Sequence, residues 1–482
     1  MDLDRLRLDR RQMLNSLGGA FGTLALRALW AKSAAAGEIA PTVNAERLRD
    51  PLAVQAPHFA PRAKAVIFLF MYGGPSHVDL FDPKPALTRY AGQPIPVFRQ
   101  EDVFRKGSRN IALPSPFRFT RHGQSGIEMA ETYPHLAQLA DELCVIRSMH
   151  ADSNNHGPAL FQMQSGSLLS GRPSIGSWAA YGLGTENENL PGFLVMMDHQ
   201  GAPVNGAMNW SNGFMPAAYQ GVPLRTAGDP IAYLRPPQGV TPQQQRARLD
   251  LLARWNERHR AGKANEAALS ARIASYELAY RMQSHASEAV DLASEPAFIQ
   301  RQYGLDNPVT AHFGRNCLLA RRLVERGVRF VQVYSGGNEG PRAWDAHDDI
   351  RKNHELHCQE TDLPIASLLR DLKGRGLLDS TLVLWGGEFG RTPFAEDGKG
   401  RDHHAQAFTM WLAGGGIRGG TVYGETDEFG YHVARDPVTI PDLHATCLHL
   451  LGLDHTRLTY PHLGREYRLT DVSGKVLHSL LA

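Results

Sequence analysis

Histidine and carboxylate recur side by side at three places in this chain. Gly73-Gly74-Pro75-Ser76 leads into His77-Val78-Asp79. Ser335-Gly336-Gly337-Asn338-Glu339-Gly340 leads into Trp344-Asp345-Ala346-His347-Asp348. Gly386-Gly387 leads into Glu388-Phe389-Gly390-Arg391, with Arg401-Asp402-His403-His404 a little further on. Imidazole nitrogen and carboxylate oxygen form the donor set that suits zinc, manganese or iron. Each such group costs free energy if buried without a partner, so they either lie in solvated loops or converge on something charged. A single Asp-x-His is weak evidence, being more often an exposed pair. Three on one edge of a sheet favour convergence, and the adjacent glycines let backbone approach a ligand closely.

The elements that would place them on one edge are continuous apolar runs of strand length, the kind found in a parallel sheet covered on both faces. They are Ala65–Met71, Leu143–Ile146, Phe193–Met197, Val328–Tyr334, Thr381–Trp385 and Phe408–Leu412. Between them lie helical patterns, Cys317–Arg326 closed by Gly327 and Ile365–Lys373 closed by Gly374. This alternation predicts an α/β fold with a mostly parallel central sheet, in which ligands gather at the carboxyl ends of the strands. Polar, helix-forming residues from 241 to 293 predict a helical insertion.

The chain has 482 residues, 42% of them hydrophobic and 21% charged, enough for a large core. Its 51 basic and 49 acidic residues are spread along the sequence for a net charge of +2, so no field is built for nucleic acid or an anionic membrane, and a small molecule is the expected partner. Cys144, Cys317, Cys358 and Cys447 are far apart, which indicates neither a disulfide framework nor a thiolate metal site. The N-terminus reads as an address. Arg10-Arg11 precedes the mildly apolar stretch Leu17–Leu26, and Ala34-Ala35-Ala36 offers a cleavage site, so residues 1–36 resemble a twin-arginine export signal. Met13, where such signals usually carry Phe, and Arg27 leave a basic amphipathic helix as the alternative. Residues 37–60 then form a linker and 61–482 a single domain, with the periplasm or the exterior as destination. No other stretch is apolar for long enough to span a bilayer.

Several motifs together resemble a known family. Tyr72-Gly73-Gly74-Pro75-Ser76-His77-Val78-Asp79, Phe81-Asp82-Pro83-Lys84-Pro85, Trp344-Asp345-Ala346-His347, Gly387-Glu388-Phe389-Gly390-Arg391-Thr392-Pro393, Gly400-Arg401-Asp402-His403 and the glycine-rich stretch Leu412–Gly420 are similar to the exported bacterial proteins catalogued as domain of unknown function fifteen hundred and one. That group is placed in the alkaline phosphatase and sulfatase superfamily. The resemblance implies an alkaline phosphatase-like three-layer sandwich and a divalent metal, with zinc first and manganese, iron or calcium as alternatives. Asp345, His347 and His403 look like the ligands of one metal, with His404 the rival for the last place. Gly73-Gly74 stands where a second metal would have an Asp, and Glu388-Phe389 stands where it would have an Asp-His pair. A second site is thus altered or lost unless His77 or Asp79 reaches in, and Glu388 is expected to serve metal.

The segment from Asn155-His156 to Ser165-Gly166 resembles the outline of the sulfatase nucleophile motif. It puts His156 near the catalytic slot, Asn155 beside it, with no Cys, Ser or Thr there. His156 is then a nucleophile, or it binds metal or moves protons while metal-activated water attacks. Arg391 would anchor a tetrahedral anion through its planar fork, or simply pair with Glu388 or Asp397. Asp402 is expected to orient a neighbour or cap its loop. The function expected is an exported metal-dependent hydrolase of sulfate or phosphate esters, acting on a small-molecule or glycan ester. The alternatives are a metal-stabilised binding or scaffold protein without turnover, and a metal-dependent isomerase or mutase.

Overall fold

A computed structural model describes residues 50–482, apart from 98, 100–109, 226–238, 261–272, 275, 279, 283–287, 339 and 397. The expected export signal, most of the linker and Asp397 lie outside the described residues.

Among the described residues, nine strands form the central sheet. In chain order they are β1 (Ala65–Met71), β2 (Leu143–His150), β3 (Phe193–Met196), β4 (Val222–Leu224), β5 (Phe330–Ser335), β6 (Thr381–Gly386), β7 (Phe408–Ala413), β8 (Thr421–Tyr423) and β9 (Val438–Thr439). Across the sheet the order is β8-β2-β7-β6-β1-β5-β3-β4, with β9 also paired to β2. β7 runs antiparallel to both of its neighbours, β6 and β2, and every other pairing is parallel. The carboxyl ends of β1, β2, β5 and β6 therefore share one edge.

Every residue of β1, β5 and β6 is buried, as strands with apolar side chains on both faces must be when both faces are covered. Helix α3 (Ala311–Glu325) packs on β5 and β1, and α4 (Ile350–Gly374) lies against α3. Three further helices matter below or complete the cover: α1 (His156–Ser165), α2 (Ile175–Leu183) and α5 (Ile440–Leu450). Within the stretch expected as a helical insertion, Pro242–Arg260 is a helix.

Two differences from the sequence expectation bear on the site. α4 was to be helical over Ile365–Lys373, but it begins fifteen residues earlier at Ile350 and runs through Pro364. An interior proline costs about 3 kcal/mol or more, so packing must outweigh it. The Asp349 side chain caps the start by accepting from Lys352 N at 3.1 Å, and Asn353, His354, His357, Cys358 and Thr361 are all buried along the first half. The second difference is that Gly390–Ala395 and Arg401–His404 form an antiparallel ribbon rather than loop. It carries the polar cluster after β6 back over the sheet edge.

Candidate metal centre

The shared edge gathers side chains from three strand exits. Asp345 and His347 follow β5, Glu388 and Arg391 follow β6, His403 sits on the returning ribbon strand, and His156 opens α1 after β2. Asp345 Oδ1 is the point on which they converge. His347 Nε2 lies 2.9 Å from it, His403 Nε2 3.2 Å and His156 Nε2 3.3 Å. The Nε2 atoms of His347 and His403 are 2.9 Å apart.

The opposite nitrogen of each ring is occupied. His156 Nδ1 donates to Glu388 Oε1 at 2.5 Å, His347 Nδ1 donates to Glu396, and His403 Nδ1 donates to the Asn154 carbonyl at 2.8 Å. A neutral imidazole with its proton on Nδ1 presents a lone pair at Nε2. Three lone pairs thus face one carboxylate oxygen, an arrangement that repels itself unless protons or a cation intervene. Second-partner bonds of this kind orient metal-binding histidines. Ligands about 2.0–2.2 Å from a zinc ion lie roughly 3.3–3.6 Å from each other in a tetrahedron; donor atoms of His156, Asp345 and His403 all lie within 4.8 Å of one another, whereas His347 groups instead with Glu396 and Asp402. His156 Nε2 is buried and, although 3.3 Å from Asp345 Oδ1, makes no well-aligned hydrogen bond. The residues present therefore fit a divalent cation. Three imidazoles suit zinc, manganese or iron, and fit calcium, which takes oxygen donors, poorly.

Charge favours the same conclusion. The carboxylates of Asp345, Glu388, Glu396 and Asp402 crowd the cluster, opposed by the guanidinium of Arg391. Burial would push the Asp345 carboxyl up, but Arg391 and the three histidines hold it well below the usual carboxylate range. Burial depresses His347, yet Asp345 and Glu396 outweigh it and raise the ring to about 9. His156 is likewise depressed by burial and raised on balance by Asp345 and Glu388. His403 is lowered to about 3 by burial, with Arg391 adding to the effect despite its bond to Asp345. Both of the raised rings, His347 and His156, are shifted toward holding a proton, and a cation at Nε2 would compete with that proton.

The backbone is shaped to bring these groups together. Gly73 has φ +113°, and a Cβ there would come within 2.7 Å of Asp345 N and Trp344 N, so only glycine lets the β1 exit lie against the β5 exit. Its N–H donates to Glu388 Oε1 at 3.1 Å. Behind the loops, Asn353 Nδ2 donates to the Ala343 carbonyl at 2.8 Å, His357 Nε2 donates to that same carbonyl at 2.8 Å, and Ser76 N donates to His354 Nε2 at 2.9 Å.

Some expected residues take other places. Glu388 does not point at the converging atoms as a ligand; fully buried, it accepts from His156 and Gly73 and so orients the ring. Arg391 is also fully buried and pairs with neither Glu388 nor an open anion site. Nε donates to Gly74 O at 3.0 Å, Nη2 to Gly73 O and Asp345, and Nη1 to Arg401 O at 3.2 Å with His347 Nε2 3.4 Å away. Its five N–H groups are thus directed at the protein. Asp79 does not reach the cluster: it takes both arms of Arg401, at 2.7 and 3.0 Å, and the Ser76 hydroxyl at 2.5 Å. His77 Nε2 donates to Gly430 O at 2.8 Å, and His404 Nε2 donates to Tyr431 O at 2.5 Å with its ring stacked on Tyr431. Asn155 caps α1 by accepting from Gly157 N at 3.1 Å. Asp402 Oδ1 accepts from His403 N at 2.7 Å, and Asp402 also groups with His347 and Glu396 as possible metal donors. Sequence reasoning missed Glu396 and the Asn154 carbonyl.

Fold and site together define an α/β protein with a histidine-carboxylate metal centre candidate at the carboxyl edge of its sheet. The chain belongs to the family described as Protein of unknown function (DUF1501), which matches residues 63–481. No curated protein matches the sequence. Among solved structures, it is similar to the alkaline phosphatase of the Antarctic bacterium TAB5, with 11% identity, 82% of this chain and 99% of that one covered, and a TM-score of 0.34. It is also similar to the sulfatase PsFucS1 from Pseudoalteromonas sp., with 12% identity, 86% and 72% covered and a TM-score of 0.34. The phosphonate monoester hydrolase SpPMH from Silicibacter pomeroyi stands at 13%, 72% and 71%, and 0.34. Likenesses of this size are similarity alone.

Proposed function

We propose that this chain is an exported, metal-dependent hydrolase of sulfate or phosphate esters. The observation that carries the metal dependence is the convergence of three Nε2 atoms on Asp345 Oδ1 while each Nδ1 is held by an acceptor. His156, His347, His403 and Asp345 would hold the ion. A divalent cation there lowers the pKa of water and offsets negative charge developing on an ester oxygen. Glu388, Glu396 and the Asn154 carbonyl fix the rings, while Arg391 ties Asp345 to the Gly73-Gly74 turn. His347, at 26% the most exposed of these side chains, marks the side from which an ester would approach. The ester class comes from the motif resemblance.

A second reading, a metal-stabilised binding or scaffold protein, is favoured by one feature. His156, Asp345 and His403 group by distance, and a shell completed by His347 would be closed, as in structural zinc sites, whereas catalytic sites usually use three protein ligands.

A panel of aryl and sugar sulfate and phosphate esters separates the two. Metal-loaded protein should turn over members of the panel and stop on chelation. Because His156 Nε2 belongs to the cluster, His156→Ala should lose metal and activity together. Activity reduced by about a hundred to ten thousand fold with metal retained would make His156 a proton carrier instead. A phosphohistidine trapped in the wild type alone would make it a nucleophile. Metal-loaded protein inert across the panel would move the assignment to the scaffold.

Export is proposed from the twin arginines. Replacing Arg10 and Arg11 by Lys should leave unprocessed precursor in the cytoplasm; export at the wild-type level would overturn the signal assignment.

A further inference from the structure

A second group of imidazoles and carboxylates lies at the neighbouring strand exit. Asp198 follows β3, His199 comes next, and His312 stands in the first turn of α3. One donor atom from each lies within 4.8 Å of the others. His199 Nδ1 is 3.0 Å from Asp198 Oδ1, and the His199 and His312 ring centres are 4.6 Å apart. The three line a cavity of about 270 Å³ that Glu360 of α4 also faces. Burial lowers the His312 ring on balance, with Asp198 and Glu360 acting against it.

We propose that Asp198, His199 and His312 form a second, exchangeable divalent-cation site. Two imidazoles with a carboxylate select zinc-like ions over calcium or magnesium. Tetrahedral ligands about 2.0–2.2 Å from an ion stand roughly 3.3–3.6 Å apart, so donor atoms that already lie within 4.8 Å of one another must draw together by rotation of a side chain to close on one. His199, with its side chain 52% exposed, is free to make it. That exposure also makes this ion easier to remove than one at Asp345.

The position gives the ion a structural consequence. Asp198 Oδ2 accepts from Gly336 N at 3.0 Å, Oδ1 accepts from Gln200 N at 2.9 Å, and Asn338 N donates to Ala202 O at 3.1 Å. The 198–202 loop is thus bonded to the chain leaving β5, which continues to Asp345 and His347. An ion on Asp198 would brace the segment that delivers those ligands.

This site does not depend on the hydrolase assignment. The test is to chelate the protein, return zinc, and count bound ions by calorimetry and native mass spectrometry. Wild type should take two equivalents, and His199→Ala and His312→Ala should each weaken the second by more than tenfold while keeping the first. His403→Ala should do the reverse, which separates failure here from failure at Asp345. His199 is exposed, so its variant is not expected to disturb folding. A wild type whose binding, whether one equivalent or two, is unchanged in both His199→Ala and His312→Ala would overturn the proposal.

Discussion

Asp79→Ala should destabilise the protein by about 3–5 kcal/mol, the range for breaking one side of a buried ion pair. Asp79 and Arg401 are both fully buried and joined by two N–H···O bonds. Removing the carboxylate strands a guanidinium whose other donors reach only the Thr392 and Leu113 carbonyls. Burial alone would raise the Asp79 carboxyl, but Arg401 brings it below its ordinary value. A depressed folded-state pKa contributes stability above the unfolded value, near 3.9, and that stability is lost as pH falls through the folded one. Urea unfolding at pH 7 checks the result. A midpoint unchanged from wild type would show that the pair contributes nothing net.

His403→Ala and Asp345→Asn should each lower metal affinity by about a hundredfold or more, beyond the ten to hundredfold typical of losing an outer orienting partner. His403→Ala is the cleaner probe, because it removes a neutral ring and leaves the Asp345–Arg391 pair in place. Asp345→Asn keeps the side-chain shape that Arg391 grips. Metal content after dialysis, with circular dichroism to confirm the fold, reads the outcome. Both variants retaining wild-type metal would remove the site.

The strands that position the site were legible because they are buried on both faces. Ala65–Met71 and Thr381–Gly386 are unbroken apolar runs, and the six runs read from the sequence all lie in the sheet. The three strands not anticipated are edge pieces of two or three residues, one containing Pro223, too short to carry a pattern. The first half of α4 was hidden for a different reason. Its buried face is made of His354, His357, Asn353 and Thr361, which packing and loop carbonyls satisfy, so it lacks an apolar period. The ribbon 390–404 is polar, and its pairing follows from what it crosses.

At the site, Asp345, His347 and His403 were marked by Asp and His recurring beside glycines at several strand exits, and His156 by the resemblance of its segment to the sulfatase motif. Residue type could not say which cation each carboxylate meets. Asp79 and Glu388 are carboxylates near a strand end, yet one faces Arg401 and the other a histidine ring. Glu396 sits in Glu396-Asp397-Gly398-Lys399-Gly400, which reads as an ordinary turn. The Asn154 carbonyl carries no sequence signal at all, since every residue has one.

X-ray absorption at the metal edge, on protein reconstituted with one equivalent of zinc, tests the centre most directly. The expected spectrum has a first shell of nitrogen and oxygen at about 2.0–2.1 Å, with the outer-shell scattering of three imidazoles, and it loses one imidazole in His403→Ala. An all-oxygen shell without imidazole scattering, or a spectrum identical in the variant, would contradict the assignment of His156, His347, His403 and Asp345 as the ligands.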